Sequence, residues 1–341
     1  MLTGGSAKRI LIVVVLILFL FVGLFSAWFA NVLLTPKKEM GEDQLFIVKE
    51  GSTLKEVATN LERFGIVKAG FPMIVWGKLH GYDRKVKAGE YSLNSHMTPM
   101  EILERLTRGN ILTYSVTIPE GFTVRQIAEL LHEKGLCDEE AFLASVHASP
   151  PGKDGNMRVT DLEGYLFPDT YKFGRGLSPV DIVRMMVERF REKTEPYREK
   201  VEASGMTMNE IITLASIIEK ETGSAEERPV IASVFLNRLK KGMRLESDPT
   251  VIYGIENFNG NLTRKDLNRP GPYNTYTERG LPAGPIANPG IDSIRAVLYP
   301  AHTDFLFFVS RNDGTHHFSK TLSEHNKAVR TYQKRSRKKS G

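Results

Sequence analysis

Two carboxylates at the end of one strongly apolar segment are the side chains best placed for acid–base chemistry. Glu219 and Glu221 stand in the run LASIIEKET, whose apolar spacing predicts a helix from Asn209 to about Lys220. At about 100° per residue, Glu219 falls roughly 80° from Ile211, among apolar neighbours, and Glu221 falls at roughly 280°. A carboxylate in such surroundings is either paired or dehydrated, and dehydration raises its pKa toward the value that a general acid needs.

The helical wheel does not choose between these two carboxylates. Glu219 and Glu221 lie about 160° apart around the helix, so the helix alone cannot make them an acid–base pair. Gly223 ends this helix, and Ser224 with Glu227 has the spacing of a capping box that would start a second helix. The sequence therefore predicts a tight helical hairpin that holds both carboxylates on a rigid element.

Two loops with polar tips follow the hairpin, after a second helix predicted at 230–240. They cover 246–250 and 274–276, and their Pro, Asn and Ser content is typical of loops that shape a site. The proline-rich stretch 282–289 is expected to form a stiff wall beside them. An amphipathic helix over 179–193 is expected to be scaffold, and 305–310 is predicted to be a core strand.

Five separated motifs resemble, in order, the endolytic murein transglycosylase family, also called YceG-like. They are ASIIEKET, VFLNRL, GMRLESDPTVIYG, YNTYTERGLPAGPIANPG and HHF. The motif region extends from about Leu162 to Ala328, and the N-terminal architecture fits as well, so the resemblance covers nearly the whole chain. It implies that Glu219 is the single catalytic acid and base. Glu221 is then expected to be structural, paired with an arginine such as Arg228 or Arg238.

The resemblance also implies a set of residues that line the cleft and bind the glycan. They are Asp248, Tyr253, Asn274, Tyr276, His316, Glu163, Tyr165 and Asp169. The last three lie in the aromatic run 162–173, which fits either the floor of a sugar cleft or a core strand. His316 and His317 are adjacent, so in a strand they face opposite sides, and which one faces the cleft stays open. We expect no metal and no cofactor.

The activity implied by the resemblance is lytic cleavage of peptidoglycan. The bond is the β-1,4 link between N-acetylmuramic acid and N-acetylglucosamine in nascent strands, cut within the strand to leave 1,6-anhydro ends. Two alternatives remain. One is a muramidase-type hydrolase that uses Asp248 or Glu163 as a second carboxylate. The other is a non-catalytic wall-binding scaffold. Wall-synthesis enzymes are expected partners on family grounds alone.

The uncharged apolar run from Ile10 to Ala30 is long enough to cross a bilayer. A cleaved signal peptide is disfavoured, because bulky Phe25 or Trp28 would occupy the position three residues before the candidate cleavage sites. Two basic residues flank each side of the run, so charge does not give the orientation. The resemblance implies a cytoplasmic N-terminus, a single-pass anchor in the inner (cytoplasmic) membrane and a periplasmic or extracellular body.

A strand–turn–helix unit occurs twice, at an offset of 70 residues. Each copy has a Glu-Gly turn, a threonine suited to cap a helix (Thr53 and Thr123) and a glycine at the helix end. The first copy extends through Tyr91 and resembles a LysM-like module, which implies binding to glycans that contain N-acetylglucosamine. The alternative is that the unit is only a spacer.

Composition sets the remaining limits. The 341 residues, 41% hydrophobic and 25% charged, are typical of a globular protein. The single cysteine, Cys137, excludes an intrachain disulfide framework and a cysteine-based zinc site. Five basic residues of the tail account for most of the net charge of +6, so nothing favours a nucleic-acid partner.

The predicted architecture is α+β, with an N-terminal transmembrane helix, a small LysM-like α/β module and a mixed α+β catalytic domain. The predicted segments are a cytoplasmic N-terminus (1–9), a transmembrane helix (10–34), the LysM-like module (44–112), a related strand–helix unit with a linker (113–150), the catalytic domain (155–333) and a basic tail (334–341).

Overall fold

The structure is a computed structural model that describes residues 4–38, 40–148 and 162–333. The end of the predicted linker, at 149–150, and the basic tail at 334–341 lie outside the described residues. Within the described part, helices alternate with three two-stranded sheets, which confirms the mixed α+β class and an N-terminal apolar helix.

The chain divides into two compact units. The first comprises Met1–Tyr114 with Lys172–Leu177, and the second comprises Ser115–Tyr171 with Ser178–Gly341. The elements of the first unit are α1 (Gly4–Leu34), β1 (Gln44–Val48), α2 (Leu54–Arg63), α3 (Phe71–Leu79), β2 (Gly89–Leu93) and α4 (Pro99–Arg108). Strands β1 and β2 pair antiparallel, with Phe46 opposite Tyr91, and both side chains are buried in the core of this unit.

The remaining elements follow in chain order. They are β3 (Tyr114–Thr117), α5 (Val124–Glu133), α6 (Glu139–Ala148), β4 (Thr170–Phe173), α7 (Pro179–Thr194), α8 (Arg198–Ser204), α9 (Met208–Glu221), α10 (Arg228–Lys240), α11 (Asp248–Tyr253), α12 (Arg264–Leu267), α13 (Ile291–Leu298), β5 (Phe307–Ser310), β6 (His316–Ser319) and α14 (Leu322–Tyr332). Strand β3 pairs with β4, and β5 forms an antiparallel hairpin with β6.

The two copies of the repeat have the same local structure. Thr53 and Thr123 cap α2 and α5 as predicted, each in a capping box with the residue three positions later. The turn glycines, Gly51 and Gly121, both have φ of 76°, a left-handed conformation that glycine adopts without a Cβ clash. Sequence similarity at these positions therefore reflects the same capping and turn geometry.

Helix α9 carries the two carboxylates and forms part of the core. Thr207 caps its first turn, and every residue from Ile211 to Ile218 is buried. The predicted capping box at the start of the next helix is wrong: α10 begins after Glu227 without a side-chain cap. The strand expected in the core at 305–310 is also different, because β5 is only half-buried along its length.

Candidate active site

Glu219 lies in the last turn of α9 and is held in a buried ion pair. Its side chain is 6% exposed. Oε1 accepts a hydrogen bond of 3.1 Å from Nη2 of Arg228, and Oε2 accepts one of 2.9 Å from the backbone N–H of Gly290. A guanidinium and a backbone N–H thus occupy both oxygens of this carboxylate, which joins α9 to Arg228 and to the start of α13.

A second carboxylate, from Glu120 in the repeat turn, shares the same arginine. Its Oε2 lies 3.8 Å from Nη2 of Arg228. Burial raises the pKa of Glu120, and the neighbouring charge of Glu219 raises it further. A Cβ at Gly290 would overlap the present position of the Glu120 carboxylate, so these two residues are in close contact. Arg228 therefore ties together the turn at Glu120, helix α9 and the start of α13.

Glu221, two residues beyond Glu219, has different surroundings. Its side chain is partly exposed, and Oε1 accepts a 2.5 Å hydrogen bond from the Ser247 hydroxyl. Desolvation raises the pKa of Glu221 to about 7, and the charge of Asp248 contributes to this increase. The charges of His316 and Arg238 act in the opposite direction.

The predicted ion pair of Glu221 with Arg228 or Arg238 is wrong. Arg228 binds Glu219, while Arg238 pairs with Glu246 at 3.0 Å and donates to the backbone carbonyls of 244, 245 and 306. Within residues 4–38, 40–148 and 162–333, no cation lies within ion-pair distance of Glu221. A partly buried carboxylate without a cation favours its protonated form.

The loop that brings Ser247 to Glu221 carries backbone strain. Glu246 has φ of 51°, in the left-handed region that non-glycine residues rarely occupy. The next residue, Ser247, is buried, and its N–H donates to the hydroxyl of Thr275 at 3.0 Å. Thr250 bonds both the Ser247 carbonyl and the Thr275 hydroxyl. Strain that is held by a buried hydroxyl network is a feature of functional sites.

Asp248 and Tyr276 present polar groups beside Glu221. The Tyr276 hydroxyl donates a 2.6 Å hydrogen bond to Oδ1 of Asp248. Asp248 is exposed and Tyr276 is partly exposed. Burial raises the pKa of Tyr276, and its bond to Asp248 does so as well, so the phenol stays protonated and can donate. The structure therefore brings together Glu221 and two of the predicted glycan-binding residues.

Asn274 is buried, and its polar atoms are used within its own loop. Its amide donates to the carbonyls of Asp266, Leu267 and Arg269, and its Oδ1 accepts from the N–H of Tyr276. This bonding favours a role in positioning Tyr276 over direct contact with a substrate.

Glu163 is also buried, at 6% exposure, and holds together three parts of the second unit. It accepts hydrogen bonds from the N–H of Val124 at the start of α5, from the side-chain amide of Asn288 and from the hydroxyl of Tyr253. Tyr253 in turn packs edge-on against Tyr273. These contacts favour structural roles for Glu163 and Tyr253.

The remaining residues of the aromatic run have partners elsewhere in the second unit. Tyr165 is 1% exposed, packs against Phe190 and donates to Asn209 at 3.3 Å. Asp169 accepts from Arg189 at 2.7 Å, and although burial opposes it, this arginine lowers the pKa of Asp169. Of the two interpretations of this run, a sugar-cleft floor and a core strand, the contacts favour the core.

The two adjacent histidines of β6 face opposite sides, as strand geometry predicts. Nδ1 of His316 lies 2.7 Å from Oε2 of Glu227, and its backbone N–H donates to Oε1 of the same carboxylate. The ring of His317 instead lies 5.7 Å from that of Tyr332. The two rings therefore have different surroundings, and His316 is the one whose charge, when present, lowers the pKa of Glu221.

The residues that sequence reasoning missed are those that hold the others in place. Ser247 and Thr275 lie in the polar-tipped loops at 246–250 and 274–276, and Glu120 lies in the repeated Glu-Gly turn, so each had a sequence signal. Arg228 and Glu227 had none that pointed to these partners. In the described part of the chain, no group of three or more His, Cys, Asp or Glu residues is arranged to hold a metal ion.

Comparisons with known proteins agree over most of the chain. The sequence model of the YceG-like family matches residues 46–331. The endolytic murein transglycosylase of Bacillus subtilis is 34% identical over 301 residues, which cover 84% of this chain and 83% of that protein. The protein of the same name from Streptococcus pneumoniae D39 is 31% identical over 315 residues, covering 83% of this chain and 57% of its own length. A crystal structure of a yceG-like protein from Listeria monocytogenes is 34% identical, with a TM-score of 0.57, and the match covers 84% of this chain and 98% of that one.

Proposed function

This chain belongs to the YceG-like family, and we propose that it is an endolytic murein transglycosylase whose general acid is Glu221. The enzyme class rests on the names of the relatives from Bacillus subtilis and Streptococcus pneumoniae. The assignment of the acid rests on one contrast. Glu219 is paired with Arg228, whereas Glu221 bonds the Ser247 hydroxyl and has no ion-pair partner among the described residues. Burial also raises the pKa of Glu221 to about 7. The catalytic role of Glu219 stays a prediction from the sequence, and the contacts favour Glu221 instead.

The proposed reaction uses one carboxyl group twice. At neutral pH a substantial fraction of Glu221 is protonated, and the Ser247 hydroxyl occupies Oε1, so the acidic proton is carried by Oε2. That proton moves to the oxygen between N-acetylmuramic acid and N-acetylglucosamine, and the bond from this oxygen to C1 breaks. The muramic C6 hydroxyl then bonds to C1, and the ionised Glu221 takes the hydroxyl proton. The products are a 1,6-anhydro end and an intact N-acetylglucosamine end, with no water consumed.

Asp248 has a separate proposed role in this reaction. Positive charge develops at C1 as the glycosidic bond breaks, and a nearby carboxylate stabilises it. Asp248 is exposed to an incoming sugar, and its hydrogen bond from Tyr276 fixes its orientation. Its negative charge also keeps Glu221 protonated to higher pH.

Asp248→Asn is expected to shift the pH dependence of cleavage as well as to slow it. The Asp248 charge raises the pKa of Glu221, so its removal lowers that pKa. Glu221 then loses its proton at a lower pH. The cleavage rate of the variant is therefore expected to decline at a pH below about 7, where the wild-type rate declines. The measurement is the rate of cleavage of isolated glycan strands from pH 5 to pH 9 for the two proteins. If the rate of the variant declined at the same alkaline pH as the wild-type rate, Asp248 would have no effect on the pKa of the general acid.

His316→Gln is expected to shift this decline of the cleavage rate in the opposite direction. The protonated imidazole lowers the pKa of Glu221, so a replacement that is always neutral removes this effect and extends activity to higher pH. Glutamine keeps an amide to bond Glu227, which limits the disturbance of β6. The pH dependence of the cleavage rate of each variant serves as the control for the other. Shifts in the same direction for Asp248→Asn and His316→Gln would contradict the proposed electrostatics.

The proposed function is tested by the mass of the products from isolated glycan strands treated with the full-length protein in detergent. A lytic transglycosylase yields muramic acid ends one water lighter than hydrolysed ends. Reducing ends would instead support the hydrolase, with Asp248 as the second carboxylate. Glu163 is disfavoured for that role because it is buried and bonded to three donors. Binding without cleavage would support the scaffold.

We also propose a location and a role for the first unit. Lys8–Leu34 is a 27-residue part of α1 whose most apolar 18-residue window has a mean hydropathy of 3.2, which supports a single-pass membrane anchor. We place the anchor in the cytoplasmic membrane and the body outside the cell or in the periplasm on the strength of the family resemblance. The order β1–α2–α3–β2, with antiparallel strands, supports a LysM-like module that contacts glycan. Nascent strands near the membrane are the proposed substrate, and wall-synthesis enzymes are the proposed partners.

A further inference from the structure

The end of helix α1 is built into the core of the first unit. Val32 and Leu33 are buried, at 6% and 2% exposure, and Phe29 packs against the same core. Just beyond the helix, the Thr35 hydroxyl accepts a 3.0 Å hydrogen bond from Nζ of Lys68, in the segment that leads into α3. The anchor and the first unit are therefore joined by packing as well as by the chain.

The length of α1 places this junction at the edge of the bilayer. The part of α1 from Lys8 to Leu34, 27 residues, is about 40 Å long at 1.5 Å per residue, whereas the hydrocarbon core is about 30 Å thick. The last turns, which include Phe29 and Leu33, then lie among the lipid headgroups. Because these turns pack into the first unit, part of that unit must lie at the same depth.

Helix α3 has the composition of a segment at that depth. Its sequence is FPMIVWGKL, and its inner side, with Met73 and Gly77, is buried in the core. Its outer side is also apolar: Phe71 is 54% exposed, Leu79 is 76% exposed, and Val75 between them is partly exposed. Spacings of four residues place all three on one stripe. A helix that is apolar all round is normally covered on all sides.

Aromatic and basic residues border this stripe. Trp76 is partly exposed and stacks on His80, with ring centroids 3.9 Å apart. Lys78 is exposed. Lys68 precedes α3 by three residues, and its Nζ bonds Thr35 just beyond the end of α1. Tryptophan and lysine beside an apolar helix face are typical of segments that lie in a membrane interface.

We propose that the outer stripe of α3, formed by Phe71, Val75 and Leu79 beside Trp76, lies in the headgroup region of the outer leaflet of the bilayer. This inference rests on the proposed membrane anchor. The stripe gives the first unit a second contact with the membrane and fixes its tilt, so the unit does not swing freely on α1. Its glycan-contacting surface is then held close to the membrane.

The two tryptophans of the chain, Trp28 in α1 and Trp76 in α3, allow a direct test. The full-length Trp28→Phe protein, whose single tryptophan is Trp76, is reconstituted into phosphatidylcholine–phosphatidylglycerol vesicles. Lipids brominated near the headgroup end of the chain are expected to quench Trp76, and aqueous acrylamide is expected to quench it poorly. Leu79→Ser in this background should weaken lipid quenching, whereas Leu322→Ser, at a leucine of 58% exposure in α14, should not.

The Trp76→Phe protein, which retains Trp28, separates the two proposals. Quenching of Trp28 but not Trp76 by brominated lipid overturns the interfacial role of α3 and leaves the anchor standing. Failure of both proteins to float with vesicles overturns the anchor and the inference together. Concentration-dependent protection of Trp76 from acrylamide, without lipid quenching, would assign the stripe to a second copy of the chain and overturn the inference.

Discussion

Glu221→Gln is expected to lower the rate of glycan cleavage by about 10²- to 10⁴-fold, the usual contribution of a general acid. Glutamine keeps the shape of the side chain and can accept the Ser247 hydrogen bond, but it has no proton to give. The measurement is turnover of isolated glycan strands by the full-length protein in detergent, beside Glu219→Gln as the matched variant two residues away. A folded Glu221→Gln protein with wild-type turnover would contradict the assignment.

The same substitution is expected to stabilise the protein at alkaline pH. The pKa of Glu221 rises from an ordinary 4.5 to about 7 on folding, so the folded state favours the protonated carboxyl. The stability linked to this group is complete below pH 4.5 and is lost as the pH rises through 7. Glutamine avoids this loss, which is about 3 kcal/mol. Thermal unfolding should therefore favour Glu221→Gln at pH 8 and show little difference at pH 4. Equal stability at both pH values would mean that the carboxyl is not dehydrated.

Arg228→Met is expected to destabilise the protein by about 3–5 kcal/mol, the cost of removing one partner of a buried ion pair. Arg228 is 7% exposed, and its loss leaves Glu219 buried without a counter-ion and Glu120 close to that charge. The measurement is the free energy of unfolding from denaturant titration. The double variant Glu219→Gln with Arg228→Met should recover much of the loss, because no buried charge then remains unpaired.

An exposed arginine provides the control for this prediction. Arg295 pairs with Asp292 at 3.4 Å, and both side chains are more than half exposed, so Arg295→Met should cost less than about 1 kcal/mol. If Arg228→Met cost no more than Arg295→Met, the cluster around Glu219 would not hold the second unit together. A stable but inactive Arg228→Met protein would instead suggest that Glu219 has a chemical role.

Local interactions were predictable from the sequence, and long-range ones were not. The caps at Thr53 and Thr123 join residues three positions apart, so the sequence contains both partners. The Glu227 capping box failed although its spacing was correct, because this carboxylate binds His316, 89 positions later. A local rule was overridden by a tertiary contact that no spacing indicates.

The same limit explains why the helical wheel did not choose between the two carboxylates. It correctly placed Glu219 and Glu221 on different sides of one helix with an apolar surface. Their difference comes from partners on other elements: Arg228 for Glu219 and Ser247, 26 positions away, for Glu221. Apolar neighbours on the helical wheel are compatible both with a dehydrated general acid and with a carboxylate in a buried ion pair. Only the position of Arg228 in the folded chain distinguishes these two cases for Glu219.

The aromatic run at 162–173 illustrates a further limit. Tyrosine and acidic residues in a dense cluster fit a sugar-binding floor and a core equally well. Two observations favour the core: Tyr165 is buried, and Asp169 forms an ion pair with Arg189. Neither could be predicted from the residue types in the run.

The most direct test of the central claim is mass analysis of the fragments that folded, full-length Glu219→Gln protein releases from isolated glycan strands. If Glu221 is the acid, this variant still releases fragments with 1,6-anhydro ends, and Glu221→Gln releases them about 10²- to 10⁴-fold more slowly. If Glu219→Gln is folded yet releases no fragments, while Glu221→Gln continues to release them, the acid is Glu219 and the mechanism proposed for Glu221 is wrong.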